Sequence, residues 1–132
     1  MSNPYFRFKQ FTVWHDRCAM KVGTDGVLIG AWCDVDACRR ILDVGCGTGL
    51  ISLMIAQRTP DRTMIEGVEI DAVAAEQAAE NTDRSPWKNR LRIHTSDFLD
   101  FATSATVRYD HIVSNPPYFE KSLLPEDTAR LT

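Results

Sequence analysis

The 132-residue sequence has no apolar run of the roughly 18 residues that a membrane span needs. Residues 1–20 also lack the apolar segment of a secretory leader, so the expected location is the cytoplasm. Cysteine is sparse. Cys18, Cys33, Cys38 and Cys46 form no Cys-x-x-Cys pair and no cysteine–histidine ligand set, so neither a metal nor a disulfide framework is expected. Internal repeats, low-complexity tracts and Gly/Ser linkers are absent, which leaves one domain over residues 1–132. No excess of positive charge exists either. Fifteen basic residues stand against eighteen acidic ones, a net charge of −3, which argues against a protein that coats nucleic acid by charge alone. A local basic patch stays open.

What remains is an ordinary globular composition, 44% hydrophobic and 25% charged. Residues 1–32 are aromatic and basic, and residues 33–132 carry a repeating β–α pattern. Arg40–Val44 reads as a buried strand, and Leu50–Arg58 has helical apolar spacing until Thr59-Pro60-Asp61 breaks it. Met64–Glu69 reads as a second strand. Ala72–Asn81, rich in alanine and glutamate, reads as a helix. Leu91–Thr95 and Tyr109–Ser114 supply a third and a fourth strand. Strands alternating with helices predict an α/β fold, doubly wound around a mostly parallel sheet. Four strands are only the first part of such a sheet and leave the fourth with a bare edge. A C-terminally truncated chain is therefore expected.

Asp43-Val44-Gly45-Cys46-Gly47-Thr48-Gly49 follows the first strand and opens a helix. Glycines here let the backbone turn tightly and let a ligand approach without meeting a Cβ atom, while the helix start offers N–H groups to an anion or carboxylate. A dinucleotide fingerprint needs its third glycine at position 50, which is leucine; a phosphate-binding loop needs Gly-Lys-Ser/Thr, which is missing. Glu69 closes the second strand, where a carboxylate can accept both hydroxyls of a ribose. Asp71 beside it suits the N-cap of the next helix. Asp97 and Phe98 follow the third strand, placed to accept an adenine amino group and to pack on its ring; a simple turn or cap is the competing role for Asp97.

Asn115-Pro116-Pro117-Tyr118 follows the fourth strand. Two prolines stiffen the loop and remove its N–H donors, leaving the Asn115 side-chain oxygen and the Pro116 carbonyl as acceptors. Such a pair suits an NH2 group, whose nitrogen is a poor nucleophile until its lone pair is drawn out of conjugation. Tyr118 offers a face for a splayed-out base.

Together, the Asp-x-Gly-x-Gly-x-Gly and Asn-Pro-Pro-Tyr motifs resemble class I S-adenosylmethionine-dependent methyltransferases of amino and amide nitrogens. The run FKQFTVWHDRCAMKVGTDGVLIGAW (Phe8–Trp32), with AQRTPD (56–61) and SPWKNRLRIHTSD (85–97), is similar to a bacterial tRNA methyltransferase family. That family modifies N6 of the adenosine just 3′ of the anticodon of a valine tRNA. The resemblance implies a Rossmann-like fold with S-adenosylmethionine as cofactor and tRNA as partner. It implies cofactor contacts from Lys21, Thr24, Asp25, Asp43, Gly45, Cys46, Gly47, Glu69, Asp97 and Phe98. Asn115, Pro116, Pro117 and Tyr118 would hold the target adenine for direct in-line displacement.

Other assignments remain in competition. A protein glutamine methyltransferase would use the same acceptor loop, a truncated remnant would bind cofactor without turnover, and an oxidoreductase would need the fingerprint that Leu50 breaks. Phe6, Phe8, Phe11 and Trp14 interleave with Arg7, Lys9 and Arg17, and packing on the domain is expected for them ahead of RNA contact. Arg84, Lys88, Arg90 and Arg92 read as a solvated basic loop, and the three histidines as structural.

Overall fold

The computed structural model describes residues 3–116. The chain opens with an antiparallel hairpin of β1 (Tyr5–Arg7) and β2 (Thr12–Trp14), followed by α1 (Thr24–Trp32). The β–α series then runs β3 (Arg40–Val44), α2 (Leu50–Gln57), β4 (Met64–Glu69), α3 (Ala72–Asp83), β5 (Leu91–Thr95), α4 (Phe98–Ser104) and β6 (His111–Ser114). The four later strands form one parallel sheet in the order β5-β4-β3-β6. The predicted strands and helices are present with shifts of one or two residues at their ends. The sequence pattern does not delimit the hairpin, α1 or α4.

The order of strands explains the layers. From β3 the chain steps outward to β4 and then β5, and right-handed crossovers place α2 and α3 on one face. It then jumps back across β3 to β6, which puts α4 on the other face. Strand register agrees. Ile41 pairs with Ile65 and His111, and Asp43 with Gly67 and Val113, so these residues share the α2 face. Ile41, Ile65, Leu91 and Val113 there meet Leu50, Leu53 and Ile55 in the main core. Phe11 and Val13 of the hairpin segment join the same cluster. Hairpin packing is thus the role of Phe11, while Phe6 is 48% exposed.

The opposite face carries a polar knot. Glu66, with its side chain only 9% exposed, faces Arg40 at 3.4 Å and His94 at 3.4 Å. The Tyr109 hydroxyl donates to the same carboxylate at 3.1 Å. Burial, reinforced by that carboxylate, pushes the Tyr109 phenol up to about 12. Phe101 of α4 packs its ring against His94 and Tyr109. At the amino end of the sheet, the Asp110 carboxylate accepts the amides of Arg39 and Arg40, which hold its pKa below the ordinary value.

Arg90 departs from the solvated role expected of it. It is 6% exposed, and its guanidinium caps the end of α2. Nη2 donates to the Ala56 and Thr59 carbonyls, and Nη1 to Thr59 Oγ1 at 3.0 Å and the Thr63 carbonyl at 3.1 Å. The last carbonyls of a helix have no partner of their own, and these are buried. Arg90→Ala would strand several of them. The expected loss is about 3 kcal/mol in urea unfolding, with Arg90→Lys recovering only part of it because one ammonium cannot span the same acceptors. A loss below about 0.5 kcal/mol would remove this role from Arg90.

Candidate functional site

β3 is the switch point of the sheet: the chain leaves it toward β4 on one side and returns to β6 on the other. Ligands in such sheets bind beyond the carboxyl ends of the strands at this place. The glycine loop follows β3 and Asn115 follows β6, so both motifs arrive there. Ser114 Oγ donates to the Val44 carbonyl at 3.0 Å and holds the two strand ends together.

The loop's shape comes from β4. The amides of Gly45 and Cys46 both donate to the Val68 carbonyl, at 2.8 and 3.0 Å. The Gly47 amide donates to Glu69 Oε1 at 2.8 Å. Gly45 and Gly47 sit at φ +66° and +51°, a left-handed region that side chains disfavour. A Cβ built on either would meet nothing within 4 Å. Glycine is needed there for conformation, and the open space above it is a cradle for a ligand.

A cleft of about 280 Å³ opens on that cradle. It brings together Lys21, Thr24, Asp25, Gly45, Cys46, Gly47 and Asn115 of the residues singled out from the sequence. Gly23 and Gly26, in the Lys21–Gly26 segment expected to close over the cofactor, also line it, and so do Met20, Thr48, Leu50 and Ile51, which the sequence reading does not single out. Thr48 and Leu50 sit within or next to the glycine motif. Gly26 packs closely on the site: a Cβ there would stand 3.0 Å from Leu50 Cδ2 and 3.5 Å from Asn115 Nδ2, so a larger residue would make the Leu50 side chain give way.

Other expected contacts are placed otherwise. Lys21 lines the cleft, but its ammonium donates to the His15 and Cys18 carbonyls at 2.8 and 3.0 Å and braces the rim. Glu69 supports the loop from behind, with Oε2 accepting from the Asp71 amide at 3.1 Å. Each oxygen keeps a second lone pair. Asp71 caps α3 through the Val73 amide, as expected. Asp97 is the N-cap of α4 and accepts from the amides of Leu99 and Asp100, the competing role named for it. Neither Asp97 nor Phe98 lines the cleft. Pro116 is exposed; Pro117 and Tyr118 lie outside the described residues.

Asp43 lies beneath the loop at 1% exposure. Its Oδ2 accepts from Ser52 Oγ at 2.8 Å, and its Oδ1 has no partner among the described residues. Burial dominates and pushes the carboxyl from 3.8 up to about 7, against the hydrogen bond from Ser52. An orphaned buried oxygen at the base of a ligand cradle fits a ligand that brings a donor. Cys46, packed over Gly67, is also buried, and its thiol is driven well above its ordinary value by burial first and by Asp43 second. No group of three or more His, Cys, Asp or Glu among the described residues is arranged to hold a metal ion. No helix among them is long and apolar enough to cross a membrane.

Comparison with known proteins decides the family. Residues 24–130 match the methyltransferase small domain. The chain belongs to the methyltransferase small-domain family. A tRNA1(Val) (adenine(37)-N6)-methyltransferase of Parabacteroides distasonis is 54% identical over 130 residues, 98% of this chain and 54% of that protein. The enzyme of the same name from Bacteroides thetaiotaomicron is 57% identical over 130 residues, with the same coverage. The chain thus spans about half the length of the curated relatives it matches. Among solved structures, an O-methyltransferase from Bacillus cereus in complex with SAH superposes with a TM-score of 0.59 at 18% identity, covering 86% of this chain and 53% of that one. The O-methyltransferase TomG from Streptomyces achromogenes, in complex with SAM, gives 0.55 at 21% identity, covering 79% and 45%. These place the fold among Rossmann-like class I methyltransferases.

In this methyltransferase domain Asp43 also sets a pH dependence. Between about pH 4 and about pH 7 the folded chain keeps a proton that the unfolded chain releases, so Asp43 makes stability fall as pH rises through that window. Above about pH 7 its contribution is level. Asp43→Asn is expected to flatten this slope. Chemical unfolding of both chains at several pH values reads it, and an unchanged slope would mean that the buried carboxyl ionises normally.

Proposed function

We propose that the chain carries the cofactor half and the amine-binding loop of an S-adenosylmethionine-dependent methyltransferase that modifies N6 of an adenosine in tRNA, the one 3′ of the anticodon of a valine tRNA. The observation that carries this reading is the placement of Asn115 across the same cleft from the Gly45–Gly47 cradle. The names of the relatives at 54% and 57% identity support the choice of substrate.

The residues fit the cofactor in the empty space over Gly45 and Gly47, with the Asp43 oxygen, unpartnered among the described residues, buried beneath the loop as an acceptor for a donor brought to it. Thr24, Asp25 and Cys46 complete the walls, Glu69 keeps lone pairs for ribose hydroxyls, and Asp97 and Phe98 stand at the next strand end. S-adenosylmethionine supplies a methyl group made electrophilic by its sulfonium. The protein's own task is to prepare the amine. Asn115 Oδ1 and the Pro116 carbonyl accept its two N–H groups, which favours a tetrahedral nitrogen and frees the lone pair for in-line attack. Acceptors placed where charge develops act on the transition state more than on the bound ground state. Holding both reactants in one cleft supplies much of the remaining acceleration. Pro117 and Tyr118, next in the sequence, are assigned to the same task of holding the base.

Two substitutions separate binding from chemistry. Gly47→Ala costs about 1 kcal/mol of stability from its left-handed backbone but meets no steric neighbour. It is expected to weaken S-adenosylhomocysteine binding by about tenfold or more, read as a lost thermal shift. Unchanged affinity would remove the loop from the cofactor site. Asn115→Ala should leave that affinity intact and lower methyl transfer to unmodified valine tRNA by roughly 10²–10³. Label from the methyl group should be released by ribonuclease. Release by protease instead would assign a glutamine side chain as substrate, and cofactor binding without any transfer would mark a chain that binds but does not turn over.

A further inference from the structure

A second concavity, of about 530 Å³, lies between the β1–β2 hairpin and the end of α3. Tyr5, Arg7, Lys9, Trp14, Asn81 and Arg84 are the side chains that matter in it. The hairpin divides its aromatic residues between two tasks. Phe8 and Phe11 stack at 4.7 Å, and Phe11 continues onto Trp87, which anchors the hairpin on the domain. Tyr5 and Trp14 form a separate pair, 4.9 Å apart and tilted by 50°, with Tyr5 40% exposed.

The charge here has one sign. Arg7 and Lys9 are exposed and make no side-chain hydrogen bond or ion pair among the described residues. Arg84 has only a loose contact with Glu80 at 3.8 Å, and Glu80 is chiefly engaged by Arg17. No carboxylate lines the groove. In a chain of net charge −3, cations beside aromatic rings in a groove that no carboxylate lines call for a polyanion with flat rings.

The groove is also linked to the cleft by hydrogen bonds. Asn81 is 1% exposed and ties three segments together. It accepts from the Trp14 amide at 3.0 Å, donates to the Trp14 carbonyl at 2.9 Å, and donates to the Thr48 carbonyl at 2.8 Å. Thr48 belongs to the glycine loop and lines the cleft. The Asn81 side chain therefore ties a residue of the groove to a residue of the cleft.

We propose that this groove is a second RNA-binding surface, in which Arg7, Lys9 and Arg84 meet phosphates and the Tyr5–Trp14 pair offers a stacking face to a base outside the reaction cleft. The proposal rests on the RNA substrate assigned above. A concave groove with paired rings beside the cleft suits a nucleic acid strand better than a flat lipid surface.

The test is the double variant Arg7→Ala/Lys9→Ala against a charge-matched control, Arg62→Ala/Arg108→Ala, whose cations stand before β4 and β6 at the amino pole of the sheet. Binding of an unmodified valine tRNA transcript is measured across a salt series, together with S-adenosylhomocysteine binding and the unfolding temperature. The groove variant should bind the transcript ~10-fold or more weakly, with a log K–log salt slope reduced by about 2, and keep its cofactor affinity. The control should match the parent chain. Equal loss in both variants, or none in either, would overturn the groove while leaving the RNA substrate standing. Failure of the parent chain to bind the transcript while binding S-adenosylhomocysteine would bring down both. Retention on anionic phospholipid vesicles that depends on Arg7 and Lys9, with tRNA binding unaffected, would reassign the groove to a lipid surface.

Discussion

The Val68 carbonyl accepts two amides, those of Gly45 and Cys46, and on this shared acceptor the site depends. It bends the chain out of β3 at once, and Glu69 then catches Gly47 one step later. The loop is thus shaped by the strand beside it. Left-handed glycines would wander without those bonds, since their freedom is what makes the turn possible. With them held, α2 begins at a defined place, Ser52 reaches Asp43, and Asn115 faces the cradle from the next strand. The cleft is a product of parallel pairing between β3 and β4 before it is a product of any ligand.

A second layer of order is polar. α3 presents two buried amides, Gln77 and Asn81, each about 1% exposed. Gln77 donates to Asp16 and accepts from the Arg17 amide and the Cys18 thiol. His15 accepts the Val22 amide at Nδ1 and bonds the Asn3 carbonyl through Nε2. These bonds lead the segment before α1 across the glycine loop and deliver Lys21–Gly26 to the rim of the cleft. An apolar surface alone would let this segment slide, whereas amides and a ring in fixed roles give it one register.

Local pattern made much of this legible. The strands at 40–44, 64–69 and 91–95 announce themselves by apolar runs between turns, and the spacing of Gly45, Gly47 and Gly49 marks the ligand loop. Asn115 could be paired with that loop because strand ends in such sheets converge. What stayed hidden depends on partners far away in sequence. Arg90 sits in a string of basic residues, and nothing local says that its acceptors lie at positions 56–63. Asp97 has the residue type of both a ligand contact and a helix cap, and the choice depends on where α4 starts. Met20, just before the Lys21–Gly26 segment, and Ile51 of α2 carry no local mark of the cleft, and their place in its lining is visible only once the segments are packed.

The strand order has a consequence for synthesis. β3 ends at residue 44, but β6, its partner on one side, begins only at residue 111. At elongation rates of about 5–20 residues per second, that edge waits roughly 3–13 seconds for its partner. Once β4 is complete, β3 is paired on one side alone, with its other row of amides and carbonyls open until β6 follows. The nascent chain therefore passes through a stage in which a strand that ends inside the sheet serves as its edge.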